Sequence, residues 1–384
     1  MKEITPSDII AFIRQLYPAC GEVVPLHAPV FQGNEQHYVQ DCLASTFVSS
    51  VGPYVTRLEQ MICEITGARY AVATNCGTAA LHAALLTLGV RPGEEVLTQP
   101  ISFVATANAI AYCQAQPVFL DVAMDTLGLC PEVLADFLTT QTEQTSGFCR
   151  NRNTGRRIAA CVPMHTFGHP AAVERLVELC QKHHIPVLED AAEALGSTFK
   201  GKHCGTFGQA GIISFNGNKI VTSGGGGVII TDDRAIAEQA RHLTTTAKKP
   251  HPYLYEHTEV GYNYRMPNLN AALCCGQLEQ LELFLTKKRA TAQAYQQFFQ
   301  ESAYTFIHEP NGARSNYWLN GIMAESLQAR DQLLTATNSA GVITRPVWTP
   351  LHHLPMFAHC QVHADTNAVF LAERIVNLPS SASL

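Results

Sequence analysis

Arg69-Tyr-Ala-Val-Ala-Thr74-Asn-Cys-Gly77-Thr-Ala-Ala-Leu-His-Ala-Ala-Leu-Leu-Thr-Leu88 passes from an apolar, β-branched run, through Asn-Cys-Gly, into a helix-forming run. It reads as a strand over 69–74 and a helix over 78–88. The pattern then repeats. Strands are expected at Glu95–Thr98, Pro117–Leu120, Arg157–Val162 and Ile185–Glu189. Helices are expected at Phe103–Cys113, Pro131–Leu138 and Ala171–His183. Such alternation predicts a mostly parallel sheet covered by helices on both faces, with ligands taken at the carboxyl ends of the strands.

Outward from this core, short helices are expected at 8–17, Glu35–Ser45 and from Pro53 to Gly67. Two further strands, Ala210–Phe215 and Gly226–Thr231, flank a turn that carries Lys219. Beyond residue 245 the pattern becomes that of a smaller α+β lobe. It has one long helix, Asn268 to Phe299, strands near 304–308, 317–323 and 342–347, and a helix over Leu327–Ser339. The expected organisation is a helical arm (1–25), a large lobe (26–245) and a small C-terminal lobe (246–384). The polar run 140–157 reads as a surface excursion whose arginines, Arg152, Arg156 and Arg157, are a minor candidate for phosphate.

The chain has 384 residues, 46% of them hydrophobic and 15% charged, with a net charge of −6. That size allows two lobes, and that charge argues against nucleic acid as a partner. The thirteen cysteines are scattered without metal-type spacing, as expected of reduced core thiols in a cytoplasmic protein. No apolar run reaches membrane length, so no membrane insertion is expected, and without metal-type spacing no metal is expected.

Four strand-end features carry chemistry. Gly77-Thr78 opening a helix offers unsatisfied N–H groups, a hydroxyl and the positive end of the helix dipole, which suit a phosphate; the plainer reading is Thr78 as a helix cap. Phe103 offers a stacking face or is simply core. Asp190, after Leu188-Glu189, is a carboxylate able to pair with a protonated ring nitrogen, or a helix cap. Lys219, between two apolar strands, is either a surface turn lysine or an amine that desolvation makes nucleophilic. Phosphate cradle, stacking face, carboxylate and amine together are what pyridoxal phosphate requires, with Ser214 as a further hydroxyl donor.

The stretches Cys-Gly-Thr-Ala-Ala-Leu (76–81), Ser-Phe-Val-Ala-Thr (102–106), Glu-Asp-Ala-Ala-Glu-Ala-Leu-Gly (189–196) and Ser-Phe-Asn-Gly-Asn-Lys (214–219) resemble the DegT/DnrJ/EryC1/StrS sugar aminotransferases. So do Gly-Tyr-Asn-Tyr-Arg-Met (261–266), Arg-Pro-Val-Trp-Thr-Pro-Leu-His (345–352) and Val-Asn-Leu-Pro-Ser-Ser (376–381). Thr-Phe-Val-Ser-Ser-Val-Gly (46–52), Met-Asp-Thr-Leu-Gly-Leu (124–129) and Thr-Gly-Arg-Arg (154–157) are similar to a LegC-like branch.

The resemblance implies PLP-dependent fold type I, pyridoxal 5′-phosphate (or its pyridoxamine form) as cofactor, and a homodimer with shared active sites. It implies amino transfer, from glutamate, to C4 of a nucleotide-linked 4-keto-6-deoxy-N-acetylhexosamine on routes to bacillosamine- or legionaminic-acid-type sugars. Residue by residue, Lys219 would form the Schiff base, Asp190 would pair with the pyridine nitrogen, and Glu193 would lie near the ring oxygen where many relatives have Gln. Phe103 would stack on the ring. Gly77, Thr78 and Ser214 would hold the phosphate, with Asn263 supplied by the other subunit. Cys76 stands where Ser is frequent, which weakens its side-chain contribution. His165 and His352 are weaker candidates for substrate contact. Two other readings are a sugar dehydratase of the same fold, against which Lys219 argues because histidine is typical there, and a non-catalytic cofactor-binding regulator. Gly224–Gly227 lacks the spacing of a dinucleotide loop and leads into a strand.

Overall fold

The computed structural model describes residues 4–145 and 147–382. Seven strands form the large sheet: β1 (Tyr70–Thr74), β2 (Glu95–Thr98), β3 (Gln116–Leu120), β4 (Ile158–Val162), β5 (Leu188–Asp190), β6 (Ala210–Ser214) and β7 (Gly227–Thr231). β7 runs antiparallel to both β1 and β6, while β6–β5, β2–β3 and β2–β4 are parallel. Parallel bridges Cys161–Val187 and Met164–Asp190 join the halves, so the order is β1-β7-β6-β5-β4-β2-β3. Val362–His363 adds a short parallel strand at the β3 edge.

Neighbouring strand residues feed opposite cores, as the pleat demands. Helices α1 (Pro6–Leu16), α2 (Glu35–Ser45) and α3 (Pro53–Thr66) precede β1. Val96 and Ile212 pack with Ala84 of helix α4 (Gly77–Thr87) and Ile110 of helix α5 (Val104–Tyr112). Leu97 instead packs with Phe137 of Pro131–Thr140 and Leu176 of Val173–Lys182. Helices therefore cover both faces, in line with the expected fold type. Among the described residues, no helix is long and apolar enough to cross a membrane.

The boundaries differ from the sequence expectation in instructive places. The expected helix 268–299 is two helices, Asn268–Leu278 and Leu281–Phe299. Neither glycine nor proline marks the break; instead the Glu279 carboxylate is drawn to Asn34, Tyr38 and Arg57, at 2.7, 2.7 and 2.6 Å. Within 140–157 the chain forms a hairpin, Thr142–Thr145 against Phe148–Asn151, with Ser146 outside the described residues. Its arginines meet carboxylates: Arg157 lies 3.0 Å from Glu94 and Arg152 3.5 Å from Glu143. A helix over Arg234–Thr244, capped by Asp233, was not expected. The first helix, Pro6–Leu16, packs Ile9 and Ile13 against Tyr295 and Val376 of the C-terminal region.

Candidate active site

Separate stretches of the chain converge on one cavity of about 280 Å3. Its walls include Cys76, Gly77, Thr78, Phe103, Asp190, Glu193, Ser214 and Lys219, eight of the eleven residues singled out from sequence.

The first wall is the start of α4. A helix cannot satisfy its own first N–H groups. Cys76 is the N-cap, its Sγ accepting from Ala79 N at 3.3 Å, so the thiol serves the helix. Gly77 lies close against Ser214: a Cβ there would sit 3.0 Å from Ser214 Cβ and 3.1 Å from its Oγ. The Gly77 and Thr78 amides and the Thr78 and Ser214 hydroxyls thus share one corner, and that donor set fits a phosphate.

Asp190 ends β5, where the parallel sheet presents its carboxyl edge. Its Oδ2 accepts from Thr106 Oγ1 at 2.7 Å and its Oδ1 from Ala192 N at 3.1 Å. Burial pushes the carboxyl up, while these two hydrogen bonds, Lys219 and His165 pull it back. Such a buried acid is suited to receive a cationic ring N–H.

Lys219 sits in the β6–β7 turn, its amide bonded to Asn216 O at 3.0 Å. The sequence reading treated it as a lone amine, which the structure corrects. Its Nζ lies 3.0 Å from Glu193 Oε1 and 3.8 Å from the centre of the Trp318 ring. Burial raises Glu193 to about 7 against the pull of Lys219, and its other oxygen accepts from Phe167 N at 2.9 Å. Phe103, half exposed at 52%, forms part of the mouth, with the Trp348 ring 6.4 Å away.

The remaining expectations fall outside this cavity. Asn263 is exposed, its carbonyl 3.4 Å from Asn75 Nδ2. His165 is a core residue: Nδ1 accepts from Ala171 N at 3.0 Å and Nε2 faces Glu189 at 3.0 Å. Glu189 is further held by the amides of Gly205, Phe207 and Gly208. His352 pairs with Asp365 at 3.1 Å, away from the cavity. Neither histidine lines this cavity.

Sequence reasoning missed Thr106, Trp318 and Trp348. The chain has two tryptophans and both line the cavity, a signal that was there to use. Of the four glycines 224–227, Gly226 alone reaches the wall. Gly227 instead lies against the start of α4, where a Cβ would fall 2.7 Å from Cys76 C and Gly77 N.

The profile of the DegT/DnrJ/EryC1/StrS aminotransferase family matches residues 29–384. EpsN of Bacillus subtilis (strain 168), named as a pyridoxal phosphate-dependent aminotransferase, is 36% identical over 94% of this chain and 91% of its own. The GDP-perosamine synthase of Escherichia coli O157:H7 is 34% identical over 94% of each chain. Among solved structures, the aminotransferase TlmJ from Streptoalloteichus hindustanus superposes with a TM-score of 0.85 at 28% identity, covering 94% of both chains. The chain belongs to the DegT/DnrJ/EryC1/StrS aminotransferase family.

Proposed function

We propose that this enzyme transfers an amino group from glutamate to C4 of a nucleotide-linked 4-keto-6-deoxy-N-acetylhexosamine, as a cytoplasmic homodimer serving bacillosamine- or legionaminic-acid-type sugars. Family membership makes it a pyridoxal-phosphate-dependent sugar aminotransferase. The finer substrate rests on the LegC-like stretches of the sequence.

One observation supports the site assignment above the others: Lys219, Asp190 and the α4 start, far apart in sequence, line one cavity. Bound pyridoxal phosphate supplies an electron sink for charge that develops at the donor's α-carbon. The protein's part is then to bind, orient and move protons. Gly77, Thr78 and Ser214 would hold the phosphate, and Asp190 would keep a proton on the ring nitrogen. Phe103 would pack on the ring, with Glu193 near the ring oxygen. The Lys219 amine would anchor the cofactor and carry the proton at the reacting carbon. Asn263 is assigned to the partner's site. The same reading keeps an arm, a large lobe to residue 245 and a small lobe beyond it.

A second reading has a GDP-linked ketone without the acetamido group. The relatives named GDP-perosamine synthases, at 33–34% identity, favour it. A panel of UDP- and GDP-linked 4-keto-6-deoxy sugars, incubated with glutamate and followed by mass spectrometry, separates the two. Amination of the UDP-linked acetamido sugar is the expected result. Turnover of the GDP sugar alone overturns the first reading in favour of the second.

A further inference from the structure

Trp318 is fastened at three points. Its backbone N–H donates to Asn316 Oδ1 at 2.8 Å, its carbonyl accepts from Lys288 Nζ at 3.0 Å, and its indole Nε1–H donates to Asn218 O at 2.7 Å. The residue is 4% exposed. Asn316 also donates its amide to the carbonyls of Glu193 and Leu195, both at 2.8 Å. One side chain therefore ties the Trp318 backbone to the segment that carries Glu193.

Lys288 is fully buried and has no carboxylate partner among the described residues; its Nζ donates to the carbonyls of Trp318 and Ser380. Burial lowers this amine to about 7. Simple packing would be served better by methionine or leucine, so a buried lysine here points to its N–H donors holding the two carbonyls.

All this fastening presents an indole face 3.8 Å from Lys219 Nζ. A lysine side chain has four rotatable bonds, and its amine reacts only from a narrow range of positions. An aromatic face attracts the ammonium electrostatically. Unlike the Glu193 carboxylate, it cannot take the proton. We propose that Trp318 is a positioning residue for Lys219, with Lys288 and Asn316 as the clamps that set its ring. The inference rests on the proposed role of Lys219 as the cofactor-anchoring amine.

The test uses cofactor-free full-length protein mixed rapidly with pyridoxal phosphate. Capture is followed by absorbance: Nζ bonds to the aldehyde carbon and the aldehyde oxygen leaves as water. Trp318→Leu is expected to slow capture roughly tenfold. Trp318→Phe, which keeps an aromatic face, should recover most of that rate, and Lys288→Met, which alters no cavity-lining group, should slow capture severalfold. Affinity for pyridoxine 5′-phosphate, which has no aldehyde, should stay within about twofold of the parent protein, which separates binding from chemistry. Capture by Lys288→Met and Trp318→Leu at the parent rate overturns the proposal. So does a parallel loss of pyridoxine 5′-phosphate affinity, which would show collapse of the cavity. A parent protein with no Lys219-dependent band would instead overturn the proposed function.

Discussion

Glu193 Oε1 lies 3.0 Å from Lys219 Nζ, with side-chain exposures of 1% and 12%. At that separation and burial, attraction outweighs solvent screening, so the two groups act as a pair. Glu193 thereby offers a proton acceptor beside the amine, and the reading of Lys219 as an isolated desolvated base gives way to that of a matched pair.

Burial is the first cause of the rise in Glu193 to about 7 from an ordinary 4.5, and Lys219 only partly opposes it. Between those values the folded chain holds a proton that the unfolded chain has lost. Stability is therefore full below about 4.5 and falls as pH rises toward 7. Glu193→Gln should flatten this fall, by about 2 kcal/mol between pH 5 and 8. Thermal melts of the cofactor-free protein at the two pH values check it; an unchanged difference between them would refute the assignment.

Lys219→Ala should abolish amino transfer while leaving the fold intact, since the side chain lies at a cavity wall and its loss opens no new core void. The measurement is product formation by mass spectrometry beside a melting curve. A variant that still turns over would remove Lys219 from its role.

Legibility tracked the sheet. Gly77, Asp190 and Ser214 could be read because parallel strands put their carboxyl ends, and hence their chemistry, at predictable places in the chain. His165 shows the limit of that logic: it lies just past a strand end, near where Asp190 ends its own strand, yet both ring nitrogens are taken by Ala171 and Glu189 in the core. Trp318 and Trp348 lie more than ninety residues beyond Lys219 in the chain, and only tertiary packing brings them to Lys219 and Phe103. The break at Glu279 was hidden for a similar reason, because its cause is a contact with Arg57, Tyr38 and Asn34 more than two hundred residues away in the chain.

Thr106 Oγ1 donates to Asp190 Oδ2 at 2.7 Å inside the core, and that bond is among the influences that lower the Asp190 carboxyl. Thr106→Val removes the donor and keeps the shape. The carboxyl should rise further, so the ionised form that holds the ring proton appears only at higher pH. The acidic limb of the pH–rate profile is expected to move upward, with activity below it reduced roughly tenfold. Asp190→Asn should lose at least a hundredfold, about 2.7 kcal/mol, at every pH. An unshifted acidic limb in Thr106→Val would assign that limb to another group.

The glycine run after Lys219 divides into positions with different needs. At Gly225 a Cβ would meet only Asn75 O, at an ordinary 3.7 Å, and Gly225→Ala should leave the melting temperature unchanged. At Gly227 the added carbon would lie 2.7 Å from Cys76 C, Cys76 O and Gly77 N. Those are backbone atoms of the α4 start and cannot rotate away. Either β7 must leave its pairing with Thr74 and Ser214 or the helix start must lift from the sheet. Overpacking of this kind costs about 1–3 kcal/mol, and displacement of the helix start would also weaken the hold on phosphate. Gly227→Ala should therefore lower both the melting temperature and the affinity for pyridoxine 5′-phosphate. A stable Gly227→Ala protein with parent affinity would show that the α4 start is not what this glycine supports.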